Sequence, residues 1–211
     1  MQPRPRRWHV AAGALLCALM LGLAPNANAL NNPDNMVPTR TRDRQCINST
    51  STSPGEVCRT DNSSMSIYTQ SSVTGAYLTA VNTTLGVSFQ PTDLSVSATS
   101  TPVYSGSGET DVIYQVAQNI GNLVGLTWCN DAVDGTAYAC DQQYVRFDPD
   151  HPGTENAACH ETGHAVGLTH AEDAYPVLSE TDQRLGCLRT PANPNWKNLL
   201  TNNLDNINLV Y

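Results

Sequence analysis

Residues 160–170 read HETGHAVGLTH, and the rest of the chain is best read outward from them. His160 and His164 are four apart, so on a helix their side chains stack on one face. Each ring can then offer a nitrogen to a single zinc ion at about 2.0–2.1 Å. Glu161 sits about 100° further round the helix, beside the metal rather than on it, where a carboxylate can hold and deprotonate a water. Gly167 is expected to end the helix, because glycine takes the left-handed conformation at low cost. The turn it makes brings His170 back as a third ligand and leaves the fourth zinc position to water. Three of the five histidines in the chain fall in this stretch, and so demanding a pattern, H-E-x-x-H-x-x-G-x-x-H, is poorly explained by accident.

That pattern is the signature of the metzincin metallopeptidases, and the sequence resembles a small secreted member, similar to the matrixin-like group. The resemblance implies an α+β fold: a mixed twisted sheet, an active-site helix and a small C-terminal subdomain, with the cleft between an upper and a lower part. It also implies a zinc endopeptidase acting on protein or peptide substrate, with one catalytic Zn2+ on His160, His164 and His170 and Glu161 as general base to the zinc-bound water. Substrate is expected to lie extended along a strand at the upper rim of the cleft, gripped by edge hydrogen bonds.

The opening, MQPRPRRWHVAAGALLCALMLGLAPNANAL, has an Arg-rich start, an apolar run and a small-x-small site at Ala27-Asn28-Ala29. Residues 1–29 therefore read as a signal peptide and the protein as secreted and extracellular. No later stretch is long and apolar enough to cross a membrane. Removing Arg4, Arg6 and Arg7 with that segment leaves 8 basic against 19 acidic residues, a net charge of −11. Such a surface repels nucleic acid and anionic membranes, and a monomer is expected. Six of the seven cysteines remain. An even count in an exported chain suggests three disulfides, among fifteen connectivities; local spacing favours Cys46–Cys58, Cys129–Cys140 and Cys159–Cys187.

Residues 30–66 show no periodicity and read as an irregular N-terminal segment or a short propeptide, with the metallopeptidase domain at 67–211. Val73, Tyr77, Val81 and Leu85 recur every fourth residue, which predicts an amphipathic helix over 71–85. Alternation predicts short strands at 87–89 and 94–98, and further strands at 111–116, 124–129 and 143–147, the last two joined across Asp134-Gly135. Thr154 or Asn156 can cap the helix that carries the histidines. The run Phe147-Asp148-Pro149-Asp150 resembles the matrixin segment that leads to a calcium site, so Ca2+ at Asp148 and Asp150 is a further expectation. The chain departs from the family in three places. Ala171 follows the third histidine, where astacin-like proteins have Glu and the snake-venom and ADAM-like group has Asp. No methionine follows Met65, and Leu188 stands at the position of the Met-turn. Nothing resembles the PRCGxPD propeptide switch. At the C-terminus, Leu200, Leu204, Ile207 and Tyr211 predict a helix with Thr201 as its cap, similar to the closing helix of matrixins.

Two other readings stay open on sequence alone: a zinc-binding module without turnover, and a zinc hydrolase of non-protein amides.

Overall fold

The computed structural model describes residues 32–211; the expected signal peptide at 1–29 lies outside the described residues. Among the described residues the architecture is mixed α/β, a mostly parallel sheet with three α-helices packed around it. In chain order the elements are β1 (Arg59–Thr60), β2 (Ser66–Thr69), α1 (Gly75–Thr84), β3 (Ser97–Ala98), β4 (Val112–Val116), β5 (Gly125–Ala132), β6 (Ala139–Phe147), α2 (Glu155–Ala165) and α3 (Thr201–Val210).

The strand order is β1-β6-β4-β2-β3, all parallel, with β5 antiparallel along β6. β5 and β6 are the strands predicted at 124–129 and 143–147, each a few residues longer, joined through a tight turn in which Gly135 takes φ +79°. Val145, Phe147 and Tyr114 turn toward α2 and join Val81, Leu85, Phe89, Ala157 and Ala158 in the main core. Burying each of those large side chains contributes about 1.5–3 kcal/mol.

The strand expected at 87–89 is not one. The chain continues from α1 through a π-helical turn, Leu85–Phe89, closed by a 2.9 Å bond from Gln90 N–H to the Leu85 carbonyl. Val87 and Phe89 alternate by accident; the governing period is Val81, Leu85, Phe89, which keeps the same face in the core while Val87 stays exposed. The predicted strand at 94–98 is reduced to β3. The first helix begins at Gly75 rather than 71.

At the C-terminus α3 forms where predicted, but Leu200, not Thr201, occupies the cap position. Asn203 Oδ1 accepts from Leu200 N–H at 3.2 Å, so the side chain that satisfies the helix entrance comes from inside the first turn. All three predicted disulfides are present, Cys46–Cys58, Cys129–Cys140 and Cys159–Cys187, as is typical of extracellular proteins. No helix among the described residues is long and apolar enough to cross a membrane.

Residues 32–58 are laid against the body rather than trailing from it. Asp34 and Met36 form bridges to Tyr175 and Leu168, and Asn35 is completely buried. Its backbone carbonyl accepts from Thr169 N–H at 2.7 Å, and its Oδ1 accepts from Asn206 Nδ2 at 2.7 Å. The residue before His170 is thereby tied to both the N-terminal segment and α3.

Candidate metal centre

α2 begins at Thr154, whose hydroxyl accepts from Ala157 N–H at 3.2 Å, one of the two caps expected. The sheet then pins it at three points. Tyr114 OH meets Thr162 Oγ1 at 2.9 Å, Thr127 Oγ1 donates to the Glu161 carbonyl at 2.9 Å, and Gln143 Nε2 donates to the Ala165 carbonyl. The helix ends where Gly167 takes φ +98°. A Cβ there would lie 2.7 Å from Cβ of Arg59, so both the conformation and the space call for glycine.

The turn returns His170 to the other two histidines. His170 Nε2 lies 2.9 Å from His160 Nε2 and 3.1 Å from His164 Nε2. The far nitrogens are held by backbone carbonyls: His160 Nδ1 donates to Cys187 O at 2.9 Å, and His164 Nδ1 to Leu168 O at 2.8 Å. A neutral imidazole that donates from Nδ1 presents a bare lone pair at Nε2. Two such lone pairs aimed at one point repel each other unless a cation lies among them. Three neutral imidazole nitrogens in this arrangement suit a divalent transition metal.

Burial also keeps the rings uncharged. It holds His160 down to about 4, helped by the charge of His170 and opposed by the Cys187 bond. His164 lies well below its ordinary value and His170 is lowered too, both chiefly through burial. Glu161 sits beside the trio, its Oε2 accepting from Thr127 Oγ1 at 2.8 Å. Burial pushes its carboxyl up to about 7 against the pull of that bond. Gly125 is what allows the approach, since a Cβ there would stand 2.6 Å from Glu161 Cγ.

All four residues line one cleft of about 440 Å3, walled by β5 and its approach on one side and by Arg42 and residues 54–57 on another. Leu188 is fully buried beneath it, and a Cβ on Gly163 would be 2.9 Å from its Cδ2. It packs under the helix turn that carries His164.

One other group of metal-type donors converges among the described residues, the sulfurs of Cys46, Cys129 and Cys140. All three are in disulfides and have no thiolate to offer. Asp148 and Asp150 belong to no converging group. The Asp148 carboxylate accepts from Asp150 N–H at 2.8 Å, so the calcium expectation finds an Asx turn at this place.

Sequence reasoning missed Thr127, Gly125, Arg42 and Asn35. A threonine and a glycine on a strand carry no signal of a carboxylate packed against them. No protein-family model matches the chain, and no curated protein matches it.

Proposed function

We propose that this chain is a secreted zinc endopeptidase of the metzincin type. The observation that carries the reading is the convergence of the His160 and His164 Nε2 atoms on His170 Nε2, at 2.9 and 3.1 Å, two of the rings with their tautomers set by carbonyls, beside a carboxylate in an open cleft. Three histidines that leave one position open are the donor set of catalytic zinc sites. A zinc ion held by His160, His164 and His170 would supply a Lewis acid to polarise a scissile carbonyl and make water a nucleophile near neutral pH.

The remaining steps belong to the chain. Glu161 takes the proton from the attacking water and returns it to the departing amine, and its location off the ligand set leaves the carboxylate free for that work. Thr127 holds one carboxylate oxygen and leaves the other to face the reacting atoms. The edge of β5 supplies the peptide grip. Asp148 N–H bonds to Val124 O at 3.1 Å, which makes 124 and 148 a hydrogen-bonded pair across β5 and β6. By the two-residue period, Gly125 and Thr127 then point their N–H and C=O groups away from β6, toward the cleft. An extended peptide can pair with them, beside Glu161. The three disulfides support an extracellular setting.

The test is digestion of a denatured protein mixture by the secreted chain and by Glu161→Ala, read by mass spectrometry with metal content measured on both. Peptides released only with the glutamate intact support the endopeptidase. If both proteins hold one zinc and neither cuts, the endopeptidase reading fails.

A further inference from the structure

The outer edge of β5 is free for only part of its length. At Gly125 and Thr127 it faces the cleft, but at Cys129 the carbonyl already accepts from Ser49 N–H and from Ser49 Oγ, both at 2.8 Å. Beyond a bulge, Ala132 N–H donates to Asn48 Oδ1 at 2.6 Å. The occupant is the N-terminal segment, which is anchored three ways. Cys46 is bridged to Cys58, Cys46 N–H bonds to Ala137 O at 2.7 Å, and Arg42 pairs with both Glu56 and Asp173. Asp173 lies three residues past His170, and the hydroxyls of Thr39 and Thr41 also bond to its carbonyl. The same segment lines the cleft with Arg42 and residues 54–57.

We propose that this stapled segment is a permanent wall of the substrate cleft, not a removable propeptide, and that it ends the peptide-binding edge after Thr127. The inference rests on the endopeptidase reading. A substrate added to β5 as an antiparallel strand, the more stable pairing, runs its N-terminal side toward Cys129. Glu161 touches β5 at Gly125 and Thr127, so the scissile bond lies there. From Thr127 to the Ser49 contact at Cys129 is two residues, or about 7 Å of strand. About two to three substrate residues therefore fit before the scissile bond on the N-terminal side. Recognition beyond them falls on the C-terminal side, where the approach to β5 at residues 122–124 lines the open cleft.

The experiment uses synthetic peptides built on one site cleaved in a denatured casein digest, with one to six residues before the bond and four after. Two readouts are taken: kcat/KM with the secreted chain, and binding of the uncut peptides to zinc-loaded Glu161→Gln by fluorescence anisotropy. Both should improve up to the second or third residue before the bond and change less than twofold beyond it. A variant with residues 49–55 shortened to three glycines, its disulfides and melting temperature checked, should regain length dependence at residues four to six. A tenfold gain from those residues in the unaltered protein overturns the proposal, as does an unchanged plateau in the folded shortened variant. Secretion of an active form that begins after Cys58 overturns it too. An uncut casein digest instead overturns the endopeptidase reading on which it stands.

Discussion

At the scale of single residues, the site depends on side chains that neither bind metal nor move protons. Thr127 Oγ1 lies 2.9 Å from the carbonyl and 2.8 Å from the carboxylate Oε2 of Glu161 and shares its one proton between them, so its hydroxyl sets where the proposed base sits. A hydrogen bond to a charged group contributes about 1.5–3 kcal/mol. Thr127→Val should therefore lower kcat by roughly ten- to a hundredfold with KM and zinc content little changed, and Thr127→Ser should restore most of it; steady-state kinetics with metal analysis checks this. Leu188 makes the opposite case. It is fully buried against Gly163, and Leu and Met have nearly the same volume, so exchange costs less than about 1.5 kcal/mol. Leu188→Met should change activity by less than tenfold. A hundredfold rise, roughly 2.7 kcal/mol of barrier, would mean that leucine had been crippling the site.

At the scale of elements, the histidine-bearing face of α2 is costly to stability. It packs two neutral imidazoles and a buried carboxyl, with His170 brought against them from the following turn, where apolar side chains would serve the core better. The cost is visible as a pH dependence in the metal-free protein. Each histidine has a folded value below its unfolded one, so unfolding takes up protons below about pH 6.5. That stability is present above pH 6.5 and is lost on acidification, for His160 down to about 4. Glu161 has the other sign: raised to about 7, its contribution is present at low pH and lost as pH rises through 7. Between pH 6.5 and 4.5 three histidines outweigh one glutamate. Chelator-treated protein should therefore melt at steadily lower temperature from pH 6.5 to 4.5, and saturating zinc should raise the melting temperature at pH 7 by mass action. A metal-free melting curve that is flat across that window would refute the assignment of buried neutral rings.

At the scale of the whole molecule, the cleft is assembled from chain segments far apart in sequence. Arg42 joins Glu56 in the N-terminal wall to Asp173 behind His170, with side chains only about one-fifth exposed. Exposed pairs contribute up to about 1 kcal/mol, while breaking a fully buried one costs 3–5 kcal/mol. Arg42→Met should thus cost about 2 kcal/mol in urea unfolding of the metal-free protein and weaken zinc binding through a looser His170. Equal stability in the two proteins would show that the clamp is not what holds the wall. The hydrogen bonds of Asn35 to Thr169 and Asn206 tie the same wall to α3, so the N-terminal segment, the loop of His170 and the closing helix form one support.

What the sequence determined alone was what is local. Ligands at i and i+4, a glycine at the helix end and a third histidine three residues on meet through helix geometry, whatever the surroundings. The three disulfides close loops of 11 to 28 residues, short enough for spacing to point to them. Where local pattern had two meanings, as at Val87 and Phe89, it misled, because a period of two and the tail of a period of four share those positions. Only the tertiary structure decided which carbonyls orient His160 and His164, which hydroxyl holds Glu161, and that residues 54–57 line the cleft while Ser49 bonds to the edge of β5. The physical reason is that every residue carries a carbonyl and an N–H. A partner of that kind is chosen by where the fold brings the backbone, and it leaves no mark in side-chain identity.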